Sequence, residues 1–315
     1  MYALVVRTCA VLTAAIAISG ALAQSNSLSA PMELTHGKPF VMVLVNGKGP
    51  FRFVIDTGTG GGAFVSAQLA DTLNLPESGY VHLSDPSKQG GQRVPLVTIQ
   101  KLEVAGVVFT DVKAARHVLS SADGNCDGLL GFQLFRDYLL TLDYPNRRMS
   151  LGLGSLTPDG ERSVLPFRMP DGIPVVPLHV GNLEIEAQID SGGTGLSLPE
   201  RIVSQLKFAS DPEVFGRAES LSTRFELKAA KLASDVQLGN YTFASPFVEI
   251  NSAFPLANFG ASAMQHFIFT FDQKAGLVRF ESAHQTLRLA ATPTQMRLDH
   301  APSERAASIA LVPIS

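Results

Sequence analysis

The sequence predicts a mainly β protein built as two similar lobes, with few short helices. Three observations predict it. Short apolar, β-branched runs recur along the 315 residues, separated by Asn-Gly, Asp-Gly and Pro turn signals. One stretch, Phe51-Arg52-Phe53-Val54-Ile55-Asp56-Thr57-Gly58, has a counterpart in Ile185-Glu186-Ala187-Gln188-Ile189-Asp190-Ser191-Gly192. Further landmarks then follow at matched distances: Asp56 to Gly106 is 50 residues and Asp190 to Gly239 is 49, while Gly131 to Asp143 and Gly260 to Asp272 are both 12. Asp56 to Asp143 is 87 and Asp190 to Asp272 is 82. Four landmarks in one order describe a domain-sized repeat rather than a solenoid.

Composition sets the bounds. A hydrophobic fraction of 45% against 17% charged residues supplies a sizeable core and argues against disorder. A formal net charge of −3, with no strong basic run, disfavours a nucleic-acid partner.

The first residues read as a targeting segment. Arg7 supplies a positive region, residues 9–18 form an Ala-rich apolar run too short to span a bilayer, and Ala21-Leu22-Ala23 has the small-x-small form of a signal-peptidase site. Residues 1–23 are therefore expected to be a signal peptide, with an uncleaved anchor as the alternative. Cleavage implies a periplasmic or secreted protein with no stable membrane anchor. It leaves Cys126 as the only thiol, so no intramolecular disulfide can form and the fold must rest on its core. Asp123 and Asp127 beside Cys126 disfavour a thiolate.

The elements follow in order. Residues 25–31 read as a short polar leader. Residues 39–45 form an apolar strand ending at Asn46-Gly47, a hairpin signal, and residues 51–55 carry Asp56. Residues 66–75 have helical spacing, with Leu69, Ala70 and Leu73 on one face and Pro76 as the stop. Residues 80–98, polar in the middle with Gly90-Gly91 at the centre, suggest a long hairpin. Residues 102–109 alternate around Gly106. After Asp127-Gly128-Leu129-Leu130-Gly131 come a short helix candidate at 132–138, a strand and turn through Asp143-Tyr144-Pro145-Asn146, and a strand at 149–153.

Residues 156–162, with Pro158 and Asp159-Gly160, are the expected boundary between a first lobe at 32–155 and a second at 163–283. The order then repeats. It runs through an apolar strand at 173–180, the strand carrying Asp190, and a short helix at 199–206 with Pro199 in its first turn. Residues 236–243 surround Gly239, a segment at 261–267 follows Phe259-Gly260, and strands at 268–272 and 277–281 close the lobe. The tail, 284–315, has no counterpart in the first half; its end at 309–314 could add a strand to a sheet between the lobes or could lie loose.

The repeat carries a chemical implication. If the lobes meet about a pseudo-two-fold axis, Asp56 and Asp190 face each other. Two adjacent carboxyls do not both ionise cheaply, so they share a proton. One can act as base on a water and the other as acid toward a carbonyl oxygen, which hydrolyses an amide with neither metal nor covalent intermediate. Gly58 and Gly192 admit the partner's backbone closely, and Thr57 and Ser191 can hydrogen-bond across the lobes or hold the loops.

At these residues the chain resembles a known family. Phe53-Val54-Ile55-Asp56-Thr57-Gly58 and Ala187-Gln188-Ile189-Asp190-Ser191-Gly192 resemble the active-site motifs of aspartic proteases. Leu129-Leu130-Gly131 resembles the apolar-apolar-Gly element that lies under the catalytic loop there. The segment from Gly128 to Asp143, running into Tyr144-Pro145-Asn146, is similar to bacterial retropepsin-like proteases. The resemblance spans roughly 39–153 and 173–281. It implies two similar β-barrel-like acid-protease lobes related by pseudo-two-fold symmetry, with Asp56 and Asp190 catalytic and Thr57, Gly58, Thr59, Ser191 and Gly192 in support. It also implies a peptide or protein substrate bound extended as an added strand, no cofactor, no metal, and a monomer carrying both halves in one chain, as pepsin-like enzymes do.

The sequence departs from the family pattern in the second loop. Ser, Thr or Ala often follows the motif glycine; the first loop has Thr59, but the second has Gly193, with Thr194 one place later. On that asymmetry Asp56 is expected to be the more readily ionised carboxyl and Asp190 the proton carrier. Asn258-Phe259-Gly260 also stands where two apolar residues are expected. A flap is placed at 85–94 with Gly90 and Gly91 at its tip, a plain surface loop being the other reading. Its second-lobe counterpart falls near 214–224, with Gly216, and neither tip carries Tyr.

The same residues admit other readings. A single Asp-Thr-Gly can be an ordinary turn. A lobe pair that keeps the fold without catalysis would bind peptides or partners, with Gly193 as its best support, and a structural envelope protein is a third possibility. Gly58 to Gly62 lacks the Lys-[Ser/Thr] of a phosphate cradle, the histidines form no zinc-protease motif, and no Gly-x-Ser-x-Gly elbow occurs.

Overall fold

The computed structural model describes residues 28–85, 87–119, 125–219 and 223–289. The expected signal peptide at 1–23 and the possible strand at 309–314 lie outside the described residues. The fold is mainly β, with few short helices and curled sheets.

In the first half the strand Lys48–Asp56 runs antiparallel to Lys38–Val45 and parallel to Gly128–Gly131, with Asp56 opposite Gly131. Ala63–Ser66 lies on the far side of Gly128–Gly131 and pairs parallel with Val107–His117. Gly91–Val104 pairs with Val107–His117, and its far end reaches back to Lys38–Val45 at Leu44 and Val45. That extra pairing curls the eight-stranded sheet on itself around Val43, Phe53, Ile55, Ile99, Leu102 and Leu130, all nearly inaccessible to solvent.

The second half uses the same pairings. Leu183–Asp190 runs parallel to Ala257–Gly260, with Asp190 opposite Gly260. Leu196–Pro199 is antiparallel to Ala257–Gly260 and parallel to Phe247–Asn251. Where the first half has two long strands, the second breaks each in two: Arg224–Lys231 with Val236–Leu238, and Tyr241–Phe243 with Phe247–Asn251. Its core is aromatic, with Phe243, Phe259, Phe267, Phe269 and Phe280 packed largely edge to face. Such contacts add to the apolar area that each ring buries.

A six-stranded sheet joins the halves. Its central strands, Leu139–Asp143 and Ile268–Asp272, are antiparallel with Thr141 opposite Thr270, and the two hydroxyls lie 3.0 Å apart. Each central strand is flanked by its own hairpin partner, Arg148–Gly152 or Leu277–Glu281, and then by an edge strand, Leu28–Pro31 or Val164–Pro166. The sheet thus reads the same from either edge. Asp272 anchors the connection between the halves, its Oδ2 accepting Leu156 N–H at 3.0 Å and the Ser155 hydroxyl at 2.6 Å.

Several elements differ from the sequence expectation. Part of the stretch read as a polar leader, Leu28–Pro31, is an edge strand, because the far-off strand Arg148–Gly152 offers it a free hydrogen-bonding edge. At the start of the tail, Thr286–Leu287 pairs with Tyr241–Phe243, a pairing the sequence did not suggest. The helix expected over 66–75 is Ala67–Thr72, started by Ser66, whose hydroxyl accepts Leu69 N–H at 3.1 Å. The segments at 132–138 and 199–206 form only the short 3-10 turns Phe132–Phe135 and Glu200–Gln205.

Candidate active site

Each loop hangs from a strand end and rests on the short strand beside it. In the first loop Gly131 N–H donates to Gly62 O at 3.0 Å and Phe132 N–H to Thr59 O at 2.8 Å. In the second, Gly260 N–H donates to Gly195 O at 3.0 Å and Ala261 N–H to Gly193 O at 2.9 Å. The strand leading to Asp56 is clamped upstream, where Asp127 N–H donates to Arg52 O at 2.8 Å and Asp127 Oδ2 accepts Arg52 N–H at 2.9 Å.

The two loops interlock. Thr57 N–H donates to Ser191 Oγ and Ser191 N–H to Thr57 Oγ1, both at 3.0 Å. Each hydroxyl then donates onward across the halves: Thr57 to Ile189 O and Ser191 to Ile55 O, both at 2.7 Å. All four bonds are buried, so breaking one strands a polar group with no route to water. A small hydroxyl residue after each Asp is what the arrangement needs, and both motifs supply it.

The interlock sets the carboxyls side by side. Asp56 is 3% exposed and Asp190 is fully buried. Each lies against the other motif's glycine: a Cβ on Gly58 would sit 2.3 Å from Asp190 Oδ1, and one on Gly192 would sit 2.4 Å from Asp56 Cγ. No side chain fits at either position without moving a carboxyl.

The environments of the carboxyls differ. Asp190 accepts the N–H groups of Gly192 and Gly193 on Oδ1, at 2.9 and 2.8 Å, and the Asn258 amide on Oδ2 at 2.8 Å. Asp56 accepts the Thr59 hydroxyl on Oδ2 at 3.0 Å, while its buried Oδ1 has no hydrogen-bond partner among the described residues. Burial first, and the negative charge of Asp190 second, hold Asp56 well above the usual carboxylate range. The Thr59 hydroxyl opposes this, the Asp190 carboxyl adds to it by hydrogen bonding, and the charge of Lys38 weakly opposes it. Burial destabilises a carboxylate, so Asp56 favours its protonated form. That direction runs against the expectation, drawn from Thr59 and Gly193, that Asp56 is the more readily ionised carboxyl. One hydroxyl on Asp56 does not offset its burial, whereas three N–H donors converge on Asp190.

Two of those donors are backbone groups, and the third, Asn258, stands in the sequence as a departure rather than a contributor. Lys38, 7% exposed, and Tyr144, 2% exposed, carry no signal in the sequence that would place them here. Burial first, then the neighbouring carboxyl pair, pushes the Tyr144 hydroxyl well up, so it stays neutral, donating to Met264 Sδ at 3.8 Å. For Asn258, Leu129 was the available signal: Val54 pairs with Leu129 as Gln188 pairs with Asn258, so a polar residue at 258 interrupts an otherwise apolar position.

The hairpin expected at 80–98 is formed by Glu77–Ser84 and Gly91–Val104, with Ser84 opposite Gly91. Gly90 and Gly91 both have positive φ, and a Cβ on Gly91 would meet Leu83 O and His82 Nε2 at 2.4 Å. The turn reaches the other half: Ser87 Oγ lies 3.2 Å from Thr223 Oγ1, and Lys88 pairs with Asp171. Thr223 adjoins Arg224–Lys231, which pairs with Glu213–Glu219 in a second hairpin, so hairpins from both halves meet.

Residues 41–134 match the model of a family described as aspartyl protease. The matched segment holds Asp56-Thr57-Gly58 and Leu129-Leu130-Gly131, and it supports an aspartic protease. A search of curated proteins finds no match.

Proposed function

We propose that this protein is an aspartic endopeptidase in which Asp56 and Asp190 activate one water between them. The observation that carries this reading is the reciprocal Thr57–Ser191 interlock, which holds two buried carboxyls together from two halves of one chain. In this scheme Asp190, as carboxylate, takes a proton from the water as its oxygen attacks the scissile carbonyl carbon. Asp56 gives its proton to the carbonyl oxygen, leaving a neutral tetrahedral diol. Collapse of the diol returns a proton to Asp56 and passes the Asp190 proton to the departing nitrogen, so the amide is replaced by acid and amine. The two hairpins would cover an extended peptide or protein segment that pairs with them as an added strand.

We further take the halves to be a duplicated pair acting as a monomeric retropepsin-like unit in the periplasm or outside the cell. The matched pairings around Asp56 and Asp190 favour the duplication. The rival reading, a silent peptide-binding protein, draws its support from Gly193; what speaks for catalysis there is the Asn258 amide, which supplies Asp190 with a side-chain donor that Gly193 does not.

The test is a mixed peptide library profiled from acid to neutral pH with residues 24–315, beside Asp56→Asn and Asp190→Asn. Cleavage abolished by either substitution supports the dyad. Cleavage that survives both refutes it, and binding without cleavage at any pH moves the protein to the rival class.

A further inference from the structure

Two departures in the second loop explain each other. Gly193 stands where the first loop has Thr59, and Asn258 stands where the first half has Leu129. In the first loop the Thr59 hydroxyl donates to Asp56 Oδ2 at 3.0 Å; in the second the Asn258 amide reaches the same oxygen of Asp190 at 2.8 Å. A Cβ on residue 193 would lie 2.4 Å from Asn258 Nδ2 and 2.6 Å from Asp190 Oδ2. A side chain at 193 and the amide of Asn258 therefore exclude each other. The far end of that amide, Oδ1, is buried with no hydrogen-bond partner among the described residues. A buried unpaired oxygen is unfavourable, and turning the amide over would aim that oxygen at a carboxylate. The donation to Asp190 is what fixes the orientation.

We propose that Asn258 is a positioning residue for the carboxyl pair, holding the Asp190 carboxyl aligned through Nδ2, and that Gly193 is the space that admits it. The inference rests on the peptidase reading and deepens it. The two supports differ in kind. A hydroxyl can donate or accept and so tolerates Asp56 in either protonation state, whereas the amide Nδ2 can only donate. The asymmetry of the pair is thereby built into residues 193 and 258.

Asn258→Leu removes the donor, keeps the branching of the side chain and installs the residue found at 129. Two readouts are taken on the full chain. One is the carboxyl titration followed by carbon-13 NMR of Asp-labelled protein, with the pair's signals assigned using Asp56→Asn and Asp190→Asn. The other is the pH profile of kcat/KM on a peptide cleaved by the native protein. Loss of one charge-assisted hydrogen bond is expected to raise the lower titration step by about one pH unit. The acid limb of kcat/KM should move with it, and kcat should fall roughly tenfold while KM stays within about twofold.

Gly193→Ala should reproduce the shift by displacing the amide, and the double variant should be no worse than either single one, because both remove the same bond. If the leucine variant does not fold, Asn258→Ala and Gly193→Ala carry the test. A folded variant that titrates like the native protein, or additive effects in the double variant, overturns the proposal. A titration shift in a protein that cleaves nothing supports the positioning role and sinks only the peptidase reading. Cleavage with an unmoved titration overturns the positioning role alone.

Discussion

Replacing Asp56 with asparagine is expected to stabilise the protein at neutral pH, and replacing Asp190 is expected to do the reverse. Asp56 is buried beside a second carboxyl and its pKa is raised, first by that burial and then by the Asp190 charge. Below about pH 3 Asp56 is protonated whether the chain is folded or not, so it contributes no pH dependence there. As pH rises above the unfolded value of about 3.9, the unfolded chain releases the proton and the folded chain keeps it. Stability then falls by about 1.4 kcal/mol per pH unit until the folded pKa is passed.

In Asp56→Asn the introduced amide is neutral at every pH, and its oxygen can still accept the Thr59 hydroxyl bond. The difference in melting temperature between Asp56→Asn and the native protein should be near zero at pH 3. It should then grow by roughly 3–6 °C per pH unit through the window above pH 4. Asp190→Asn has the opposite sign. It weakens the bonds from Gly192 and Gly193 and sets an amide donor against the Asn258 donor, for a loss of about 1–3 kcal/mol. Scanning calorimetry from pH 3 to 7 on the three proteins measures this. A flat or negative difference for Asp56→Asn, or stabilisation by Asp190→Asn, would place the proton on the other carboxyl and refute the reasoning.

Three further outcomes are expected. Ser191→Ala leaves the buried Thr57 N–H without its acceptor and Ile55 O without its donor, so chemical denaturation should show a loss of about 2–4 kcal/mol, and Thr57→Val a comparable one; a change below about 0.5 kcal/mol would mean that the interlock does not bear on stability. Gly58→Ala and Gly192→Ala each drive a methyl into a carboxyl, at 2.3 and 2.4 Å, so peptide cleavage should drop at least about 100-fold in protein that remains folded by circular dichroism. Lys88→Ala breaks a partly exposed ion pair worth under about 1 kcal/mol, so global stability should be unchanged while amide exchange at residues 87–92 speeds up; unchanged exchange would show that the Ser87–Thr223 contact alone holds the hairpin tip.

The strands carrying Asp56 and Asp190 were legible because their signals are local. Each is an apolar, β-rich run closed by a glycine turn, and each forms where the pattern places it, as Lys48–Asp56 and Leu183–Asp190. The hairpin around Gly90-Gly91 was legible for the same reason. Asn258 was not. Its contact with Asp190 spans 68 residues of chain and depends on the parallel pairing of Leu183–Asp190 with Ala257–Gly260. Nothing local marks an Asn as a carboxylate donor, and beside a family pattern it looks like a defect. Lys38 was hidden too, since a lysine opening a strand is ordinarily solvated and only the surrounding packing buries it. The leader strand Leu28–Pro31 went unread because its partner edge, Arg148–Gly152, lies far along the chain.

The sequence by itself determined the β character, the two strand-end carboxyls and the hydroxyl and glycine that follow each one. Those are properties of short windows, governed by backbone propensity and turn chemistry. Only the tertiary structure decided that the Asp56 carboxyl favours its protonated form. That direction follows from how deeply Asp56 is buried and from the second carboxyl beside it, and both are set by strands that meet from distant parts of the chain.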